Sequence, residues 1–400
     1  MNQAISSVPE SASRLETIGQ LRAQIVDVMP DAETMWHTAV QPARPGWAGR
    51  MARRAPPMEA PPAFRGHLSV EPDQAYGFLK ERFAKLGYTP LLRRQGEHDL
   101  IVALAHLFPD GAQAKQQSVR WVPNILLLLL TIVSTTIMGA IMEQSAGLMK
   151  NPMLLFQQPA LILTGIPASL TIMGILGVHE LSHYFVARRH GLETTLPYFI
   201  PVPFGFGTMG AIIRIRTPWQ NRKALFDVGV AGPLGGLLVA LPLFFLGLMT
   251  SPHQLPIPEG TALGSPLLLR WIEDAVYAIR GIPKEHEIYV NAMTFAAWFG
   301  LVVTGFNLLP VGQLDGGHVA YAVLGRWARV LGVIVLGSLI ILGMWMWNGW
   351  YIWAAFIFLS GWQHPAPLNA LAPLGGKRLA LGLLIFVLIV LLFTPAPFPI

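Results

Sequence analysis

The stretch GVHELSHYFVARRHG, residues 177–191, carries His179, Glu180 and His183 at the spacing H-E-x-x-H. On a helix, side chains four apart stack on one face, one turn apart. Two imidazole nitrogens so placed can be offered to one zinc ion, with Glu180 beside them to take a proton from water. The bland alternative is a structural histidine pair or a proton relay. Its weight falls because the stretch runs on from ALILTGIPASLTIMGIL, an apolar segment of membrane type. Ionisable residues inside such a segment are expensive, so a cluster of them marks function.

A zinc site needs a third protein ligand. One soluble pattern continues H-x-x-G-x-x-H and fails here: Val186 and Arg189 stand where Gly and His are required, and His190 falls one place too far along. The chain has no cysteine, which excludes thiolate ligands, thiol catalysis and a disulfide scaffold. After the first apolar segment the aspartates are Asp227, Asp274 and Asp315. Asp274 falls on the wrong side by the charge topology below. Asp315, in FNLLPVGQLDGGHV, is expected on an unwound stretch broken by Pro310, Gly312, Gly316 and Gly317. Irregular backbone at membrane depth is tolerated only where protein buries it or it lines a wet cavity. Asp315 is therefore the favoured ligand. Asp227, in ALFDVGVAGPLGG, stays a second candidate, with an interfacial helix cap as its ordinary role.

The elements that must position these groups follow from composition. Of 400 residues, 53% are hydrophobic and only 12% charged, against roughly 25% charged in soluble domains. A polytopic α-helical membrane protein is the expected class. The net charge of +6 does not imply nucleic acid, because the basic residues flank apolar segments and read as topology signals. About seven segments have spanning character: 122–142, 160–187, 228–249, 289–309, 329–347, 349–363 and 378–395. If they alternate, one side collects Arg93, Arg94, Lys115, Arg120, Arg188, Arg189, Arg214, Arg216, Arg222, Lys223, Arg326, Arg329, Lys377 and Arg378. The other collects Glu259, Glu273, Asp274, Glu285 and Glu287 with Arg270, Arg280 and Lys284. The first side is cytoplasmic and holds the N-terminus. His183 and His179 then lie roughly 7 to 14 Å from the cytoplasmic end of their helix.

Residues 1–60 are polar, with the Pro/Ala/Arg-rich QPARPGWAGRMARRAPPMEAPPA, and are expected to form a flexible tail. They hold no apolar run of signal-peptide length, and their acidic residues argue against a transit peptide. Residues 61–115 suggest a small cytoplasmic α+β module in β-α-β-β order, with Pro72 in the first helical turn and Gly87 as its stop. A membrane core over 120–325 and additional helices over 326–400 complete the division. After H-E-x-x-H comes PYFIPVPFGFGTMGAIIRIRTP, too rich in Pro and Gly for a helix. A re-entrant β-hairpin is expected there. Its free edge, through Gly207, Gly210, Ala211 and Ile212, can pair with an unwound substrate strand. Gly232, Pro233, Gly235 and Gly236 read as close helix packing.

H-E-x-x-H followed in a later segment by N-x-x-P-x-x-x-L-D-G-G resembles the site-2 protease family of intramembrane zinc metalloproteases. Asn307, Pro310, Leu314, Asp315, Gly316 and Gly317 match the second motif, and the resemblance covers about residues 160–325. The N-terminal module and NRKALFD are similar to the plant and cyanobacterial EGY-type branch. Two departures stand out: Gly312 occupies a position that some relatives fill with a second proline, and the 250–288 loop is too short for a PDZ-like insertion. The resemblance implies a three-helix zinc protease core. It implies His179, His183 and Asp315 as metal ligands, Glu180 as general base, and Asn307 as a catalytic donor to the oxyanion or a holder of the substrate backbone. It implies a membrane-protein substrate with a single span, cut near the cytoplasmic side in regulated intramembrane proteolysis. The lipid bilayer is the other partner, the oligomeric state is left open, and a bacterial-type plasma membrane is the expected location. The competing function is a metal-ion or proton-coupled transporter using the same cluster. Transporters commonly repeat a broken helix in both halves, and the two motifs here are unlike each other. A proteolytically inactive binding protein is disfavoured because the full set of groups is present.

Overall fold

The computed structural model describes residues 10–36, 61–105, 121–144, 157–256, 263–362 and 364–398. Lys115, Arg120 and Glu259, counted above for topology, lie outside them, as do 37–60 of the expected tail and the end of the 61–115 module. The described chain divides into two compact units.

The first unit joins the N-terminal residues to two distant segments, Pro218–Leu225 and Pro365–Leu374. It contains α1 (Glu10–Ala23), β1 (Glu33–Trp36), β2 (Pro62–Gly66), α2 (Pro72–Lys85), β3 (Tyr88–Gln95) and β4 (His98–Ala105). The β-α-β-β order expected from residue 61 onward is present. The expectation of a flexible tail over 1–60 is corrected for 10–36, which supply α1 and β1. Polar composition hid their packing: Leu21, Ile25 and Met29 are fully buried beside Phe64, Leu79, Phe83, Leu92 and Ile101. The sheet is antiparallel in order β1-β2-β4-β3. β4 is buried from Asp99 to Leu104, as a central strand covered on both faces must be. Arg82 holds Asp27 through two hydrogen bonds of 2.6 and 2.8 Å, and that contact draws the Asp27 carboxyl below its usual range.

The second unit is helical. It has α3 (Trp121–Glu143), a 3-10 turn at Pro159–Gly165, α4 (Ile166–Arg189), and the hairpin β5 (Tyr198–Pro201) and β6 (Thr208–Ile212). Then come α5 (Arg222–Thr250), whose first residues count with the first unit, β7 (His253–Gln254), α6 (Leu267–Arg280), β8 (Glu287–Ile288) and α7 (Ala292–Asn307). The last four helices are α8 (Asp315–Leu324), α9 (Ala328–Trp345), α10 (Gly349–Ser360) and α11 (Gly376–Leu392).

Among the described residues, four helical stretches are long and apolar enough to cross a membrane: Trp121–Glu143, Pro159–Arg189, Arg222–Thr250 and Asp315–Trp345. α7 and α10 are apolar but shorter, and α11 has 17 residues. The fifth expected segment began at 329. The helical path begins instead at Asp315, because α8 runs into α9 through a 3-10 turn at Gly325–Trp327. Helix α4 opens on Pro167 in its first turn and ends with Arg188 and Arg189, whose charges suit the negative end of a helix dipole. It packs on α7 through Ala168, Ile172, Ala292 and Ala296.

Candidate metal centre

His179 and His183 lie on consecutive turns of α4, with their Nε2 atoms 3.1 Å apart. Asp315, the first residue of α8, turns its carboxylate onto both: Oδ2 is 3.2 Å from His179 Nε2 and Oδ1 is 3.3 Å from His183 Nε2. The three ligand atoms lie within 4.8 Å of one another, and both histidines are buried. Asp315 therefore does not sit on unwound backbone, as its glycines suggested. The irregular stretch is 308–314, and the aspartate is the first residue of the helix that follows.

The neighbouring backbone explains the glycines of L-D-G-G. A Cβ on Gly316 would collide with the Leu308 carbonyl, and one on Gly317 with the Gly312 carbonyl. Only glycine lets α8 start against that turn. Gly312 has φ +59°, a value closed to proline, whose ring fixes φ near −65°. The absent second proline thus has a local cause.

Helix α5 passes close to the imidazoles. A Cβ on Gly232 would fall on the His183 ring, and one on Gly236 would lie 3.2 Å from His179 Nδ1. The small residues of α5 do more than let helices touch, since they make room for the ligand rings. Val228 accepts a hydrogen bond of 2.8 Å from His183 Nδ1. A carbonyl can only accept, so Nδ1 carries the proton and Nε2 keeps its lone pair for a metal. That orienting carbonyl has no sequence signature and went unseen.

Glu180 is buried next to His179, and the backbone amide of Ile213 donates toward its carboxylate. Ile213 directly follows β6, so the hairpin reaches the H-E-x-x-H helix. Ala211 and Ile212 pair with Phe199 and Tyr198 of β5. Ile212 is exposed, and Gly210 adopts φ +102°. Gly207 lies just before β6. Its carbonyl accepts from Ser134 Oγ at 2.6 Å, and a Cβ there would meet the Ser134 backbone at 2.5 Å. Gly207 thus packs against α3, and its carbonyl also accepts from the Val202 amide within the hairpin. Asn307 ends α7 and is partly exposed.

Asp227, the second candidate ligand, is engaged elsewhere. It binds Arg378 through both carboxylate oxygens and accepts from His190.

The donor set of two imidazoles and one carboxylate, one ring held by a carbonyl at its far nitrogen, fits a zinc ion with an open fourth position. Residues 167–342 match the model of peptidase family M50. The match covers less than half of the chain. The M50 match spans the H-E-x-x-H helix, α5, Asp315 and most of α9. The relatives agree. The chain is 31% identical over 248 residues to probable zinc metalloprotease EGY2, chloroplastic, of Arabidopsis thaliana, covering 61% of this chain and 44% of the relative. It is 28% identical over 361 residues to EGY2 of Oryza sativa subsp. indica, covering 86% and 63%. It is 27% identical over 305 residues to probable zinc metalloprotease EGY1, chloroplastic, of Oryza sativa subsp. japonica, covering 69% and 50%. The chain thus spans less than two thirds of the length of each of these relatives. The M50 match and the apolar helices support an integral membrane protein.

Proposed function

We propose that this chain is an intramembrane zinc metalloprotease that hydrolyses peptide bonds in or near transmembrane segments. One observation carries the reading: two imidazole nitrogens and a carboxylate converge inside apolar helices, with a buried glutamate one residue from the first ligand. His179, His183 and Asp315 are the metal ligands. When bound, zinc supplies a Lewis acid that polarises a carbonyl and makes water more acidic. Glu180 takes the proton from the attacking water and returns it to the leaving amine. Asn307 offers its amide to the developing oxyanion.

The substrate is a membrane protein, most simply one with a single span. Its helix must open before a carbonyl is available. The outer edge of β6, through Gly210, Ala211 and Ile212, receives the opened strand by backbone pairing. The contact between Ile213 and Glu180 supports this, because it sets that edge beside the base. Seven spans, a catalytic core over 120–325, and a cytoplasmic N-terminus suit the basic loops. A bacterial-type plasma membrane remains our reading of the location, although the relatives above carry chloroplastic names. The transporter alternative is set aside, since the matched family is a peptidase family.

The test is cleavage of unfolded casein by the detergent-purified chain. Chelation should stop cleavage and added zinc should restore it. Glu180→Gln should keep its zinc while losing activity by roughly 10²- to 10⁴-fold. Glu180→Gln cleaving at the wild-type rate would end the reading.

A further inference from the structure

Asp227, the single acidic residue of α5, accepts three hydrogen bonds. Its Oδ1 accepts from Arg378 Nε at 2.7 Å, and its Oδ2 accepts from Arg378 Nη2 at 2.7 Å and His190 Nε2 at 2.9 Å. This ties three elements: α5 through Asp227, the end of α4 through His190, and the first turn of α11 through Arg378. The Arg fork is bidentate, the geometry that fixes orientation as well as distance. The next residue, Val228, is the one whose carbonyl holds His183 Nδ1. Two consecutive residues of α5 therefore grip α4 at His190 and His183, about two turns apart. Gly232, one turn further along α5, leaves no room between that helix and the His183 ring. A shift of α5 that released Asp227 would carry the Val228 carbonyl off the ligand.

We propose that Arg378, Asp227 and His190 form a positioning clamp for the metal centre, acting on His183 through the Val228 carbonyl. The clamp rests on the metalloprotease reading. It also gives α11, outside the matched residues 167–342, a share in the site. Groups that orient a metal-bound imidazole are worth about 10- to 100-fold in metal affinity.

The test is the rate at which zinc passes from the full-length detergent-purified protein to a chromogenic chelator. Wild-type zinc content is measured first. A wild type without zinc would refute the metal reading itself, whereas a zinc-bearing wild type isolates the clamp. Arg378→Met and Asp227→Asn should release zinc roughly tenfold faster or more. Arg378→Lys keeps the charge but not the fork and should fall between. Lys223→Met breaks a 2.6 Å ion pair to Asp73 one turn earlier on the same helix, and should release zinc at the wild-type rate. Cobalt-loaded Asp227→Asn should show displaced d–d bands, which a general loss of stability would not produce. Asp227→Asn is near-isosteric and keeps the test decisive if Arg378→Met fails to fold. Release from Asp227→Asn and Arg378→Lys within about twofold of wild type, or equal acceleration by Lys223→Met, would overturn the clamp.

Discussion

Gly232 shows how much of the site is set by what a residue lacks. Its missing side chain is the space that the His183 imidazole fills. Gly232→Ala should cost about 1–3 kcal/mol by overpacking and lower zinc content with it. Gly174, on the zinc helix, is the control: a Cβ there meets only Val239 Cγ1, at 3.9 Å. Gly174→Ala should leave zinc content unchanged, and elemental analysis beside a thermal melt would check both variants. The convergence of His179, His183 and Asp315 was legible because H-E-x-x-H and L-D-G-G have fixed spacing. The roles of Gly232 and the Val228 carbonyl were not, since each depends on where α5 lands against α4, and no local pattern records that.

Among the elements, the β5–β6 hairpin was readable from its Pro, Gly and alternation, but the packing role of one residue was not. Gly207, expected at a substrate-binding edge, lies just before β6 and seats the hairpin on α3. Ser134 Oγ reaches its carbonyl, while Asn124 donates to the Leu196 and Pro197 carbonyls just upstream. Gly207→Ala adds a Cβ where the α3 backbone lies, at a φ of +79° that suits glycine. It should loosen the hairpin, speeding hydrogen exchange of the Tyr198–Ile200 and Thr208–Ile212 amides about tenfold. Unchanged protection would mean that α3 does not hold it. Asp315 teaches a similar lesson. Pro and Gly before it suggested irregular backbone at the ligand, whereas they build the turn that starts its helix.

For the whole molecule, the apolar pattern announced a polytopic membrane protein, but not the composition of the first unit. That unit depends on Asn369, which is almost fully buried. Its Nδ2 donates to the Pro72 carbonyl and to Asp73, and its Oδ1 accepts from the Leu371 and Ala372 amides. Leu92 of β3 and Leu368 share a 2.7 Å backbone hydrogen bond. Segments nearly 300 residues apart in sequence thus share one hydrogen-bond network, which periodicity within any one of them does not reveal. Asn369→Ala strands buried amides and should cost about 1–3 kcal/mol, seen as faster exchange of β3 amides in the full chain. The claim on which the rest depends is the assembled metal centre. Elemental analysis of the detergent-purified chain tests it most directly. The account predicts about one zinc per chain, lost in both His179→Ala and Asp315→Ala. A wild type without zinc, or an Asp315→Ala that kept it in full, would contradict it.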